Sequence, residues 1–316
     1  TNYQLQLLSG LGKFTEANIG NVVFTLARWG LSIIVIFYHS IELLIIIWTL
    51  GALVKAIYYQ RFLPFRLYID WQFLKETVKL GFPIYITGIV NFVSSQGDRT
   101  VTAFLLGSYD LGVYQLVALA AVVPSMLISS SFSSSILPAS TYYYAKGSDM
   151  RKMSSVAMRI ISLVSLPTAV LGYAISPLFI SKLFPQYVSG IESMQLLVLF
   201  LTATMPLQLL STFMIAAKVS YRPFILIGSL SALEVISLSY LLIPKLGILG
   251  AAIAQVVNAL LSSALYLLFS VKQNVFPLGR REAFTLVLIA LSFLSLLNWI
   301  VALVLVLLGF RLLGVV

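Results

Sequence analysis

KLGFPIYITGIVNFVSSQGDRTVTAFLLGSYDLG, residues 79–112, sets two opposite charges, Asp98 and Arg99, inside an otherwise apolar run. Phe82 to Val93 precede the pair and Val101 to Leu106 follow it. The length and hydropathy predict one membrane-spanning helix. A charge at membrane depth costs roughly 2.5–3.5 kcal/mol on insertion scales, so it faces a bundle interior or a wet cavity. Asn91, Ser94 or Ser95, Asp98 and Thr102 recur at helical steps and share one face. Two readings are open. Either the stripe lines a pathway, with Asp98 and Arg99 as an ion pair at its centre, or the pair only ties the bundle together.

The rest of the chain is of the same kind. Of its 316 residues, 60% are hydrophobic and 9% charged, and the mean hydropathy is +1.01. Soluble domains carry about 25% charged residues, so this is an integral membrane protein. The apolar segments are continuous rather than alternating, which predicts helices and not a barrel. With no cysteine and a single histidine, a disulfide framework and a Cys/His metal site are excluded. The net charge of +10 fits cytoplasmic loops better than nucleic acid.

Spans are expected at roughly 18–37, 41–59, 80–106, 111–138, 155–178, 192–217, 223–243, 248–271 and 283–300, with a tenth at 301–316. Residues 283–316 read equally as one long helix with a tail or as two short helices turning near Asn298. The basic residues orient the set. Lys55, Arg61, Arg66, Lys75 and Lys79 lie between the second and third spans, and Lys146, Arg151, Lys152 and Arg159 follow the fourth. Lys218 and Arg222 follow the sixth; Lys272, Arg280 and Arg281 follow the eighth. All fall on one side, which the positive-inside rule makes cytoplasmic, while Lys182 and Lys245 lie opposite.

Residues 60–79 interleave Phe62, Phe65, Tyr68, Trp71 and Phe73 with Arg61, Arg66 and Lys75, the pattern of a helix in the membrane interface. SMLISSSFSSS, residues 125–135, packs small hydroxyl residues into the fourth span, for close helix approach or a cavity wall. Pro124, Pro138, Pro167, Pro177 and Pro206 fall in or near spans, where they let helices bend. Residues 19–59 overlay 227–267 without a gap, a weak signal of a parallel repeat.

Four stretches together resemble the polysaccharide flippases of the multidrug/oligosaccharidyl-lipid/polysaccharide (MOP) exporter superfamily, O-antigen flippase-like branch. KLGFPIYIT (79–87) is similar to the start of that family's seventh helix. GDRTVTAFLLGSYDLGVY (97–114) is similar to the short outer turn leading into its eighth. LFPQYVSG (183–190) and PKLGILGAAIA (244–254) are similar to later outer loops. The resemblance implies an all-α, two-lobed, polytopic bundle of which about nine or ten spans, the family's fifth to fourteenth, are present. Residues 1–59 would then end the N-terminal lobe. Residues 60–79 would be a cytoplasmic linker, 80–271 the C-terminal six-helix lobe, and 272–316 additional C-terminal helices. Residues 1–16 read as the tail of an earlier helix, and about four further spans are expected upstream.

The resemblance also implies a function: moving a lipid-pyrophosphate-linked oligosaccharide from the cytoplasmic to the outer leaflet of the cell membrane by alternating access. Glycosyltransferases would supply the substrate, H+ or Na+ would drive it, and no cofactor or metal is expected. Arg99, Asp98, Asn91 and Arg28 are the expected substrate-binding residues, since a guanidinium meets phosphate in a planar fork. Arg28 also reads as a snorkelling residue near the cytoplasmic end of its span. Glu234 and Asp98 are the coupling-ion candidates, and Glu234 reads equally as bonded to Ser231 or Ser237. His39 reads as an outer-turn residue. A drug or cation exporter of the same superfamily and a membrane glycan polymerase or ligase are the alternatives. The first favours cavity acids. The second needs a long outer loop carrying acids, Arg or His, whereas the outer loops here are short. No nucleophile motif or phosphate loop appears.

Overall fold

A computed structural model describes residue 4 and residues 14–38, 40–62, 71–147 and 149–312. His39, most of residues 1–13, part of the interfacial segment (63–70) and the end of the last expected span (313–316) lie outside the described residues. The chain forms two compact units, Thr1–Thr77 and Val78–Val316.

In the first unit, α1 (Phe14–Tyr38) and α2 (Ile41–Gln60) form an antiparallel hairpin. Ser40 caps α2, its hydroxyl accepting from the Leu43 N–H at 3.2 Å. Trp29 and Trp48 meet edge to face with centroids 6.3 Å apart.

The second unit holds most of α3 (Trp71–Leu106), followed by α4 (Ser108–Ala145), α5 (Met150–Leu183) and α6 (Ile191–Gln208). Next come the short α7 (Leu210–Ala216), then α8 (Arg222–Leu246), α9 (Ile248–Lys272), α10 (Arg280–Ser292) and α11 (Trp299–Leu312). Among the described residues, helical segments thus fall on each expected span, with a break at Leu297 and Asn298 inside the one expected at 283–300. Among the described residues, six helical segments are long and apolar enough to cross a membrane by length and composition. Helix α3 is not among them, because its polar stripe dilutes it.

Several boundaries differ from expectation. Helix α3 starts at Trp71, so residues 71–79 of the expected interfacial segment are its first turns. Residues 71–80 hold no Gly or Pro to stop them. At 36, 38 and 34 residues, α3, α4 and α5 are about 50–57 Å long and project beyond a hydrocarbon core of about 30 Å. Ser125, Ser130 and Ser131 bond back to the carbonyls of Val122 and Leu127 on their own helix. At the C-terminus, two short helices form. The Asn298 side chain accepts from the N–H groups of Ile300 (3.0 Å) and Val301 (3.3 Å) and starts α11, which folds back so that Gly309 meets Leu288.

Two helix-to-helix turns are made by single glycines in the left-handed region, Gly107 (φ 89°) and Gly247 (φ 59°), which lets α3 turn directly into α4 and α8 into α9. Helix α6 is the most buried of the candidate spans. One side of the core joins Tyr114, Val117 and Ala121 of α4 to Ile180, Leu197, Ile243 and Ala251. The other joins Leu166, Leu199 and Ala203 to Leu288, Val306 and Phe310 of the C-terminal hairpin. Helices α3 and α8 approach closely at Gly97, beside Val235 and Ile236, and at Gly228, beside Val90 and Asn91.

Candidate functional site

The polar stripe of α3 faces its neighbours. Ser94 accepts twice from α9: its carbonyl from Gln255 Nε2 and its hydroxyl from Asn258 Nδ2, both at 3.3 Å. One turn on, Asp98 is 2% exposed. Its Oδ2 accepts a hydrogen bond from the phenol of Tyr114 on α4, while its Oδ1 is buried without a hydrogen-bond partner. Thr102, fully buried, donates to the Asp98 carbonyl at 2.7 Å. The stripe therefore stitches α3 to α4 and α9, where each polar group removed from water needs a partner.

Asp98 and Arg99 do not form the expected ion pair. Consecutive helical residues point about 100° apart and do not face each other. Arg99 turns away and donates from Nη1 to Gln96 Oε1 at 2.8 Å. Its Nε is buried and unpartnered. Both side chains nevertheless line one cavity of ≈ 350 Å³, whose wall also includes Gln96, Tyr114, Gln255 and apolar residues of α4 and α6 such as Val122 and Leu197. The cavity thus holds a guanidinium with donors to spare and a carboxylate with one oxygen open, each held separately.

The other expected residues fall elsewhere. Asn91 lies two turns before Asp98 on α3 and lines a second cavity of ≈ 360 Å³, with Thr87, Ser211, Tyr221 and Tyr266. Glu234 on α8 is not among the residues lining either cavity. Both its carboxylate oxygens are buried without a hydrogen-bond partner, so it is not bonded to Ser231 or Ser237. Arg28 sits near the middle of α1 (Phe14–Tyr38). Its guanidinium lies 3.7 Å from the Trp48 ring centroid and 5.4 Å from that of Trp29, so aromatic faces stand in for water. Arg28 and Arg99 belong to different units.

Sequence reasoning missed Tyr114, Gln96 and Gln255 as site residues. Gln255 had a signal, a lone amide in the apolar run AAIAQVV. Tyr114 had none, since an aromatic residue in a span reads as ordinary core.

The family model described as "Polysaccharide biosynthesis protein" matches residues 11–188 of the chain. The chain belongs to that polysaccharide biosynthesis family. The match takes in α1 to α5 and hence Asp98, Arg99 and Tyr114. The fold agrees with a solved structure described as "Lipid II flippase MurJ, inward closed conformation", with a TM-score of 0.64 over 98% of this chain and 69% of that one, at 15% identity. No curated protein matches the chain. This member of the polysaccharide biosynthesis family is a multi-pass helical membrane protein with a flippase-like fold.

Proposed function

We propose that the chain is a transporter that moves a lipid-pyrophosphate-linked oligosaccharide from the cytoplasmic to the outer leaflet of the cell membrane. The observation that carries the proposal is Arg99. It is a half-buried guanidinium in a cavity inside the helix bundle, held at one nitrogen by a neutral amide and at none by a carboxylate. An anionic head group entering a low-dielectric cavity needs a compensating cation, and the guanidinium fork offers two parallel charged hydrogen bonds. Gln96 and Gln255 add amides suited to sugar hydroxyls. Asn91 and Thr87 of α3, with Ser211 of α7, line a second polar cavity further along α3. The family and the flippase-like fold support the same reading.

The protein carries out no covalent chemistry on this reading. It alternates access, and glycosyltransferases make what it carries. The driving ion, H+ or Na+, is met by Glu234, whose buried carboxylate has no partner, with Asp98 Oδ1 as the second candidate. Arg28, locked under Trp48, is the weaker of the two arginines as a phosphate ligand.

One observation favours a second reading. The unpartnered carboxylate oxygen of Asp98, Oδ1, beside the same cavity would suit an exported organic cation. Reconstitution of the full chain into liposomes separates the two. The flippase reading expects transfer of a polyprenyl-pyrophosphate oligosaccharide between leaflets and no ion-driven efflux of a fluorescent cation. The reverse result overturns it.

A further inference from the structure

Away from the Arg99 cavity, a cleft of ≈ 450 Å³ opens between the first turns of α5 and the start of α10, on the side the basic excess makes cytoplasmic. Arg151, Lys152 and Arg159 line it, with the acids Asp149 and Glu282. Both acids are already engaged. Asp149 caps α5, accepting from the Arg151 N–H at 3.0 Å. Glu282 accepts from the Ser155 hydroxyl and, at 3.2 Å, from the Gly279 N–H. Among the described residues, the side chains of Arg151 and Lys152 have no partner, and Arg280 and Arg281 stand exposed at the head of α10.

What lies below the cations identifies the occupant. From Lys152, steps of four residues along α5 lead to Val156, Ile160 and Val164, all three exposed apolar residues. Those twelve residues of helix cover about 18 Å, close to the depth of one leaflet. A cationic cleft at the interface, continued by an exposed apolar row that winds along α5 from it, matches a molecule with a phosphate at one end and acyl chains at the other. We propose that this cleft binds the head group of an anionic phospholipid of the cytoplasmic leaflet, with its chains along the α5 stripe. A soluble phosphate would use the cations but not the stripe. A bound lipid would bridge α5 to α10.

The test uses the purified full chain in neutral detergent. Phosphatidylglycerol, phosphatidylcholine and inorganic phosphate are each titrated, with bound lipid counted by native mass spectrometry and melting temperature followed in parallel. The proposal expects phosphatidylglycerol to bind and raise the melting temperature, with phosphatidylcholine and phosphate each inert. The double variant Arg151→Ala/Lys152→Ala removes no internal contact, so it should fold. It should weaken phosphatidylglycerol binding about thirtyfold, from roughly fivefold for each charge. Arg99→Ala should leave that binding unchanged, which separates this site from the transport cavity. Equal binding of phosphatidylcholine, stabilisation by inorganic phosphate alone, or full phosphatidylglycerol binding by the double variant would each overturn the proposal.

Discussion

The phenol of Tyr114 on α4 donates its hydrogen bond to Oδ2 of Asp98 on α3, across two helices that meet at the single-glycine turn of Gly107. The bond satisfies one side of a buried carboxylate and fixes α3 against α4 where the cavity begins. Tyr114→Phe removes the donor and leaves the oxygen stranded, at a cost of about 1–3 kcal/mol. Its melting temperature in detergent should fall clearly. The Asp98→Asn/Tyr114→Phe double variant should lose less than the sum of the two single changes, since the second loses a contact already gone. Additive losses would mean that the two side chains do not act together.

Glu234 makes a contrasting case. Two carboxylate oxygens buried without partners are a liability in the resting protein, so a neutral isostere should relieve it. Glu234→Gln is expected to melt at or above the wild-type temperature. In liposomes it should transport at a rate that no longer responds to an imposed ion gradient. A lowered melting temperature with gradient response intact would assign Glu234 a packing role.

Glu282 lies in the first turn of α10, just ahead of its apolar run. Burial pushes its carboxyl upward, but the Ser155 hydroxyl, its own and the Gly279 N–H groups and nearby Arg159 outweigh this and hold it below the usual glutamate value. A depressed folded-state value gives stability that is present above the unfolded glutamate value and is lost as pH falls through the folded one. Melting temperature measured from neutral to acid pH should therefore drop in that acid range, and more steeply for wild type than for Glu282→Gln. Identical slopes would contradict the bonding at Ser155 and Gly279.

The segments at 60–79, 139–154, 218–222 and 272–282, helix ends together with the turns between them, hold the basic excess and are expected in the cytoplasm. Single cysteines at Lys146 and Arg280 are informative, since the native chain has no thiol of its own. Neither should react with an impermeant thiol reagent added outside intact cells. Labelling at either position reverses the orientation and with it the direction of transport.

Much of this architecture is legible in the sequence because lipid allows few solutions. An apolar stretch must close its backbone hydrogen bonds within itself, so the runs of apolar residues are the helices. Asp98 and Arg99 stand out for the same reason, as charges where charge is costly. What the sequence does not carry is the partner of each. Adjacent opposite charges read as a pair, yet helix geometry sends Asp98 to Tyr114 and Arg99 to Gln96. The packing of α1 on α2, which brings Trp48 over Arg28, is likewise not written in the sequence of α1. The start of α3 at Trp71 was hidden because an interfacial amphipathic stretch and the exposed first turns of a long helix share one composition.

Export with Arg99→Ala bears on the central claim most directly. Surface glycan and melting temperature should be measured together in cells that depend on this protein, for Arg99→Ala and Arg99→Lys. Arg99 shares one neutral hydrogen bond, with Gln96, so its loss should leave the fold near wild-type stability. The account predicts that Arg99→Ala folds but exports no glycan, and that Arg99→Lys recovers part of the export, because an ammonium keeps the charge without the planar fork. Normal export by Arg99→Ala, or loss of export only in step with unfolding, would contradict it.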